Sequence, residues 1–145
     1  MKFGGTSLGD ITRIKSAAIK IKREISNGMS VVVVVSAMSG STNKLIQLVN
    51  SISKSYDSSE YDAVVSTGEQ VSSGLLAIAL QAIGLKAKSF TGWQIPILTD
   101  QHFGKASIND IKVNKIQDEL ENGIIPIVSG FQGVTSCERI TTFGR

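Results

Sequence analysis

Five consecutive valines, Val31 to Val35, constrain this chain more than any other feature. A β-branched run without polar alternation reads as a strand buried on both faces, and such strands lie inside parallel sheets covered by helices. The flanking segments have helical spacing. Ile11, Ile14, Ala18, Ile21 and Ile25 recur every three or four residues, while Arg13, Lys20, Lys22, Arg23 and Glu24 fall mostly off that face. Asp10 suits an N-cap and Asn27-Gly28 a C-cap. A second helix carries Leu45, Ile46, Val49 and Ile52, with Thr42 as its candidate cap, and polar residues 50–60 read as its end and a surface connection. A third helix is expected over 70–83, entered by a break at 66–68 and stopped by Gly84. Short strands are expected at 87–90, 95–98, 124–128 and 140–143, with Pro126 favouring an edge or a strand start. A further helix is expected over 108–121, ending at Asn122-Gly123. Strands alternating with helices imply an α/β domain with a mostly parallel sheet between helices.

Composition narrows the function classes. The 145 residues suffice for one core, with 41% hydrophobic and 19% charged residues. Net charge is only +3, the Lys and Arg residues are scattered, and aromatics do not interleave with them, which argues against a nucleic-acid partner. The valine run is too short to cross a bilayer, and Lys2 leads into glycines rather than an apolar signal segment, so no membrane partner is expected. A single cysteine, Cys137, excludes an internal disulfide and a Cys-based zinc site. A cytoplasmic setting is the expectation.

In open parallel sheets ligands sit beyond the carboxyl ends of the strands. Three polar turns fall at such ends: 4–7, 36–43 and 129–133. The first follows Lys2 and reads Gly4-Gly5-Thr6-Ser7, a cation, two residues open to close backbone approach and two hydroxyls ahead of a helix. That set suits a polyphosphate, although it is no Walker A loop and also suits an ordinary strand-to-helix turn. Ser36 and Thr42 read equally as turn hydroxyls, Glu69 as a carboxylate favoured by a helix N-terminus, and Arg145 as a solvated cation.

Five segments taken together carry more. Lys2-Phe-Gly-Gly-Thr-Ser7, Val34-Val-Ser-Ala-Met-Ser-Gly-Ser-Thr-Asn-Lys44, Val65-Ser-Thr-Gly-Glu-Gln-Val-Ser-Ser-Gly74, Gly130-Phe-Gln-Gly133 and Ile140-Thr-Thr-Phe-Gly-Arg145 occur in one order across nearly the whole chain. In these the sequence resembles the aspartate kinases of the amino acid kinase family. The resemblance implies the carbamate kinase-like fold and transfer of the ATP γ-phosphoryl group to the β-carboxylate of L-aspartate, with Mg2+. The product, 4-phospho-L-aspartate, begins the route to lysine, threonine, methionine and diaminopimelate. By resemblance Lys2 is the catalytic lysine, Gly4, Gly5, Thr6 and Ser7 line the phosphate site, and Ser36 and Thr42 belong to the aspartate pocket. Glu69 would hold the substrate ammonium group and Arg145 would clamp a carboxylate through its planar fork.

The resemblance also implies what lies outside the chain. In the family the first strand begins several residues before the lysine, and the motif ending in Arg145 continues with Gly-Gly-Ser-Asp. The nucleotide-binding half and the ACT regulatory domains follow. The expectation is therefore an N-terminal part of a catalytic domain with little or no kinase activity alone, completed by a second polypeptide or assembled as a homo-oligomer. Two alternatives stay open: a non-catalytic remnant or partner-binding fragment, and another amino acid kinase acting on glutamate or acetylglutamate.

Overall fold

The computed structural model describes residues 1–144. In chain order they form β1 (Lys2–Phe3), a single 3-10 turn (Gly5–Leu8), α1 (Ile11–Ser26), β2 (Val33–Val35), α2 (Ser41–Ile52), α3 (Ser58–Val65), α4 (Thr67–Ala82) and β3 (Ala87–Phe90). There follow β4 (Ile97–Thr99), β5 (Ile108–Ile111), α5 (Asn114–Glu121), β6 (Ile125–Ser129), β7 (Gln132–Val134) and β8 (Ile140–Thr142).

The valine run supplies an inner strand of an all-parallel sheet ordered β1-β2-β6-β3. Its residues alternate between two cores, as successive side chains on a strand must. Val31, Val33 and Val35 join Ile125 and Ile127 of β6 and, from α1 and α4, Ile14, Ala18, Ile21, Leu76 and Leu80. Val32 and Val34 pack instead with Phe90, Ile95, Ile97 and Val128, together with Ile116 of α5 and Phe143. Both faces of the sheet are thus covered, which is why no polar residue interrupts the run.

The Asp10 side chain caps α1 by accepting from the Arg13 amide at 2.9 Å, and Gly28, at φ +84°, follows the helix end. Its buried stripe is Ile14, Ala17, Ala18 and Ile21, whereas Ile11 in the first turn is 52% exposed. Pro126 lies in an inner strand rather than at an edge. It stands second in β6, ahead of the first residue paired with β2 (Ile127), so its missing amide breaks no ladder bond on that side.

Two expectations are corrected. Residues 108–111 are a strand, and the helix begins only at Asn114. The break before α4 is the single residue Ser66, with helix α3 occupying much of the expected connection. A second sheet, ordered β5-β4-β7-β8 and mostly antiparallel, stands beside the parallel one. The chain steps from the first sheet to the second through Gly130 and Phe131, the latter at φ +64°. The run from Ser58 to Ala82 is long and apolar enough to cross a bilayer, yet half of its most apolar 18 residues are buried inside the protein, and the run buries Asp62 and Glu69. It is the core helix pair.

Candidate active site

Because β1, β2 and β6 are parallel neighbours, the turns after Phe3, Val35 and Ser129 leave the sheet at the same end. There they enclose a cleft of about 550 Å3. Backbone bonds hold the turns together: the Ser36 amide donates to the Phe3 carbonyl at 3.0 Å and the Gly130 amide to the Val35 carbonyl at 2.9 Å. Side-chain-free positions let the turns close. A Cβ on Gly5 would stand 2.8 Å from the Ala37 carbonyl oxygen, and one on Gly68 would stand 2.8 Å from the Ala37 Cβ. Thus Gly5 is required by packing against Ala37, whereas Gly4 faces open space.

Helix α4 brings Glu69 to the cleft in its first turn, 3% exposed. Its Oε1 accepts from the Ala37 amide at 3.0 Å, which locks the carboxylate against the turn after β2. That turn runs to Gly40, whose φ of +79° starts α2, so Gly40 rather than Thr42 occupies the N-cap. Thr42, in the first turn of α2, lines the cleft with Ser36, Ser39 and Asn43. Gly130, Phe131, Phe143 and Gly144 line it as well, with the Phe143 amide donating to the Phe131 carbonyl at 3.0 Å. Among the described residues the cleft is lined by two charged side chains of opposite sign, Lys2 and Glu69.

Of the residues singled out from the sequence, Lys2, Gly5, Ser36, Thr42 and Glu69 therefore converge. Thr6 and Ser7 do not line this cleft. They face a separate groove of about 420 Å3 with Lys2, Arg13, Ser16 and Lys20. The helix end beside the glycines is only the 3-10 turn, while α1 begins later under its own carboxylate cap. Arg145 lies outside the described residues. Phe131 and Phe143 escaped the sequence reading as site residues, although both sit inside motifs already noted; Asp62, buried near the base of the arm that carries Phe143, escaped it entirely. Asp57, Asp100 and Asp110, three carboxyl groups held below their ordinary range, are not among the residues lining the cleft.

A cleft offering one cation, one buried carboxylate, three hydroxyls and an amide suits a small zwitterion bearing an extra anionic group. Comparison with known proteins shows which family the chain resembles. An aspartokinase from Rickettsia bellii is 46% identical over 147 residues, which cover 99% of this chain and 36% of that protein. The crystal structure of aspartate kinase from Synechocystis matches with a TM-score of 0.81 and 42% identity, covering 99% of this chain and 23% of that one. E. coli aspartokinase III, solved in complex with aspartate and ADP, matches with a TM-score of 0.81 over 99% of this chain and 43% of that one; at 21% identity it speaks for the fold alone. The chain thus spans about a third of the length of the curated relatives it matches. The amino acid kinase family pattern covers residues 1–145, and the chain belongs to the amino acid kinase family.

Proposed function

We propose that this chain is the acceptor-binding, N-terminal part of an aspartate kinase, acting on L-aspartate and ATP. The observation that carries the reading is the presence of Lys2 and Glu69, charges of opposite sign, in the lining of one hydroxyl-bearing cleft at the strand ends. Glu69 takes the substrate ammonium group, Ser36 and Thr42 hold its polar atoms, and Arg145 clamps a carboxylate. Lys2 neutralises charge on the phosphoryl group in transit, and the Gly4 and Gly5 amides attend the phosphates.

The acceptor needs no base. An aspartate side chain titrates near about 3.9 and is already ionised at neutral pH. Its β-carboxylate oxygen forms the new bond to the γ-phosphorus while the bond to the bridging oxygen of ADP breaks. The protein's task is positioning and charge neutralisation. Among the described residues no three His, Cys, Asp or Glu side chains gather to hold a metal. The Mg2+ of the reaction would come with the nucleotide phosphates and offset their charge.

In this reading the nucleotide-binding half and the ACT domains belong to further chain, or to a second polypeptide that completes the domain, with a homo-oligomer as another assembly. The test is a coupled ADP-release assay on the chain supplied with that half, comparing L-aspartate, L-glutamate and N-acetyl-L-glutamate as acceptors. Turnover with L-aspartate alone is expected. Preference for either other acceptor assigns a different amino acid kinase, and turnover with none assigns a non-catalytic role.

A further inference from the structure

Asp62 is fully buried in α3, and no catalytic role has been given to it. Its Oδ2 accepts from the Thr142 amide and from the Gly104 amide, each at 2.8 Å, and its Oδ1 accepts from the Thr142 hydroxyl at 2.7 Å. One carboxylate thus ties α3 to the 100–107 loop and to the last residue of β8. Burying such a group costs several kcal/mol unless its oxygens are satisfied, and an apolar side chain would fill the space at less cost. Three donors converging on it make it a fixed anchor. The residues that follow Thr142 are Phe143 and Gly144, which line the cleft.

We propose that Asp62 is a positioning residue for the acceptor cleft, setting where the arm after Thr142 stands. The inference rests on the acceptor reading above, in which this arm leads to Arg145. Only Asp or Asn has the length and acceptors for the post. Asn offers one oxygen to the two amides, and its NH2 meets the Thr142 hydroxyl, which can turn to accept.

The test pairs calorimetric titration of L-aspartate with amide hydrogen exchange. Asp62→Ala is expected to weaken L-aspartate binding about tenfold and to speed exchange selectively at Gly104, Thr142 and Phe143. Asp62→Asn restores affinity to within about threefold. Ile21→Ala, a buried change in α1 outside the cleft lining, is the control: it is expected to destabilise the fold yet leave affinity unchanged, and equal weakening in both variants would mark the role of Asp62 as merely structural and overturn the proposal. Should Asp62→Ala fail to fold, Thr142→Val removes one of the three bonds and is expected to weaken binding about threefold. Wild-type affinity in Asp62→Ala or in Thr142→Val overturns the proposal. If the wild-type protein binds no L-aspartate, the acceptor reading falls, and exchange alone decides Asp62. Selective loss of protection in the arm then supports the anchor, and unchanged protection overturns it.

Discussion

The Glu69 carboxylate accepts a 3.0 Å hydrogen bond from the Ala37 amide, 32 residues away in sequence, and so joins the first turn of α4 to the turn after the valine strand. Both partners are buried. Removing the acceptor leaves a buried N–H without a partner, so Glu69→Ala is expected to destabilise the protein by about 1–3 kcal/mol in urea unfolding. Glu69→Gln keeps an oxygen for Ala37 and is expected to stay within about 1 kcal/mol of wild type.

The paired glycines after β1 are expected to separate. Gly5→Ala forces a Cβ to 2.8 Å from the Ala37 carbonyl, a backbone atom with nowhere to go, and is expected to cost about 1–3 kcal/mol. Gly4→Ala meets open space and is expected to change stability by no more than about 0.5 kcal/mol. Equal effects in chemical denaturation would show that the turn packs otherwise.

Much of this was readable in the residues, and the misses have physical causes. The valine run and the α1 stripe announced themselves because burial imposes a period on them. Strand β5 did not. All four of its residues are exposed and it pairs only with β4, so nothing forces alternation, and Ile108 and Ile111 mimic a helical step. The cleft residues from the three strand-end turns were legible because parallel neighbours must deliver their turns to one place. Asp62 was not, since a lone carboxylate in an apolar helix reveals its role only when the donors of residues 104 and 142 are brought to it.

The loop from Asp100 to Ser107 carries a pH dependence. The Asp100 carboxylate accepts from the His102 amide at 3.1 Å and from the Ser107 amide at 3.2 Å, and lies against the His102 ring. The His102 amide bond, foremost, holds its pKa below the usual carboxylate range. A depressed carboxyl contributes stability above its unfolded value of about 3.9 and loses it as pH falls through the folded value. A carbon-detected NMR titration is expected to give Asp100 a midpoint below about 3.9, and a midpoint at or above that value would contradict the loop geometry.

With the adenine and ribose pocket assigned to further chain, the 145 residues alone are expected to release ADP at background rate from L-aspartate and Mg-ATP. Lys2→Ala should leave that background unchanged. Turnover that Lys2→Ala abolishes would place a complete catalytic centre within this chain.

The central claim is that the cleft takes an amino acid acceptor through Glu69, and titration calorimetry with L-aspartate reads it directly. The prediction is saturable binding to the wild-type chain that weakens at least about tenfold in Glu69→Gln, whose fold is retained but whose charge opposite the ammonium group is gone. Equal binding by the two proteins, or none by the wild type, would contradict it.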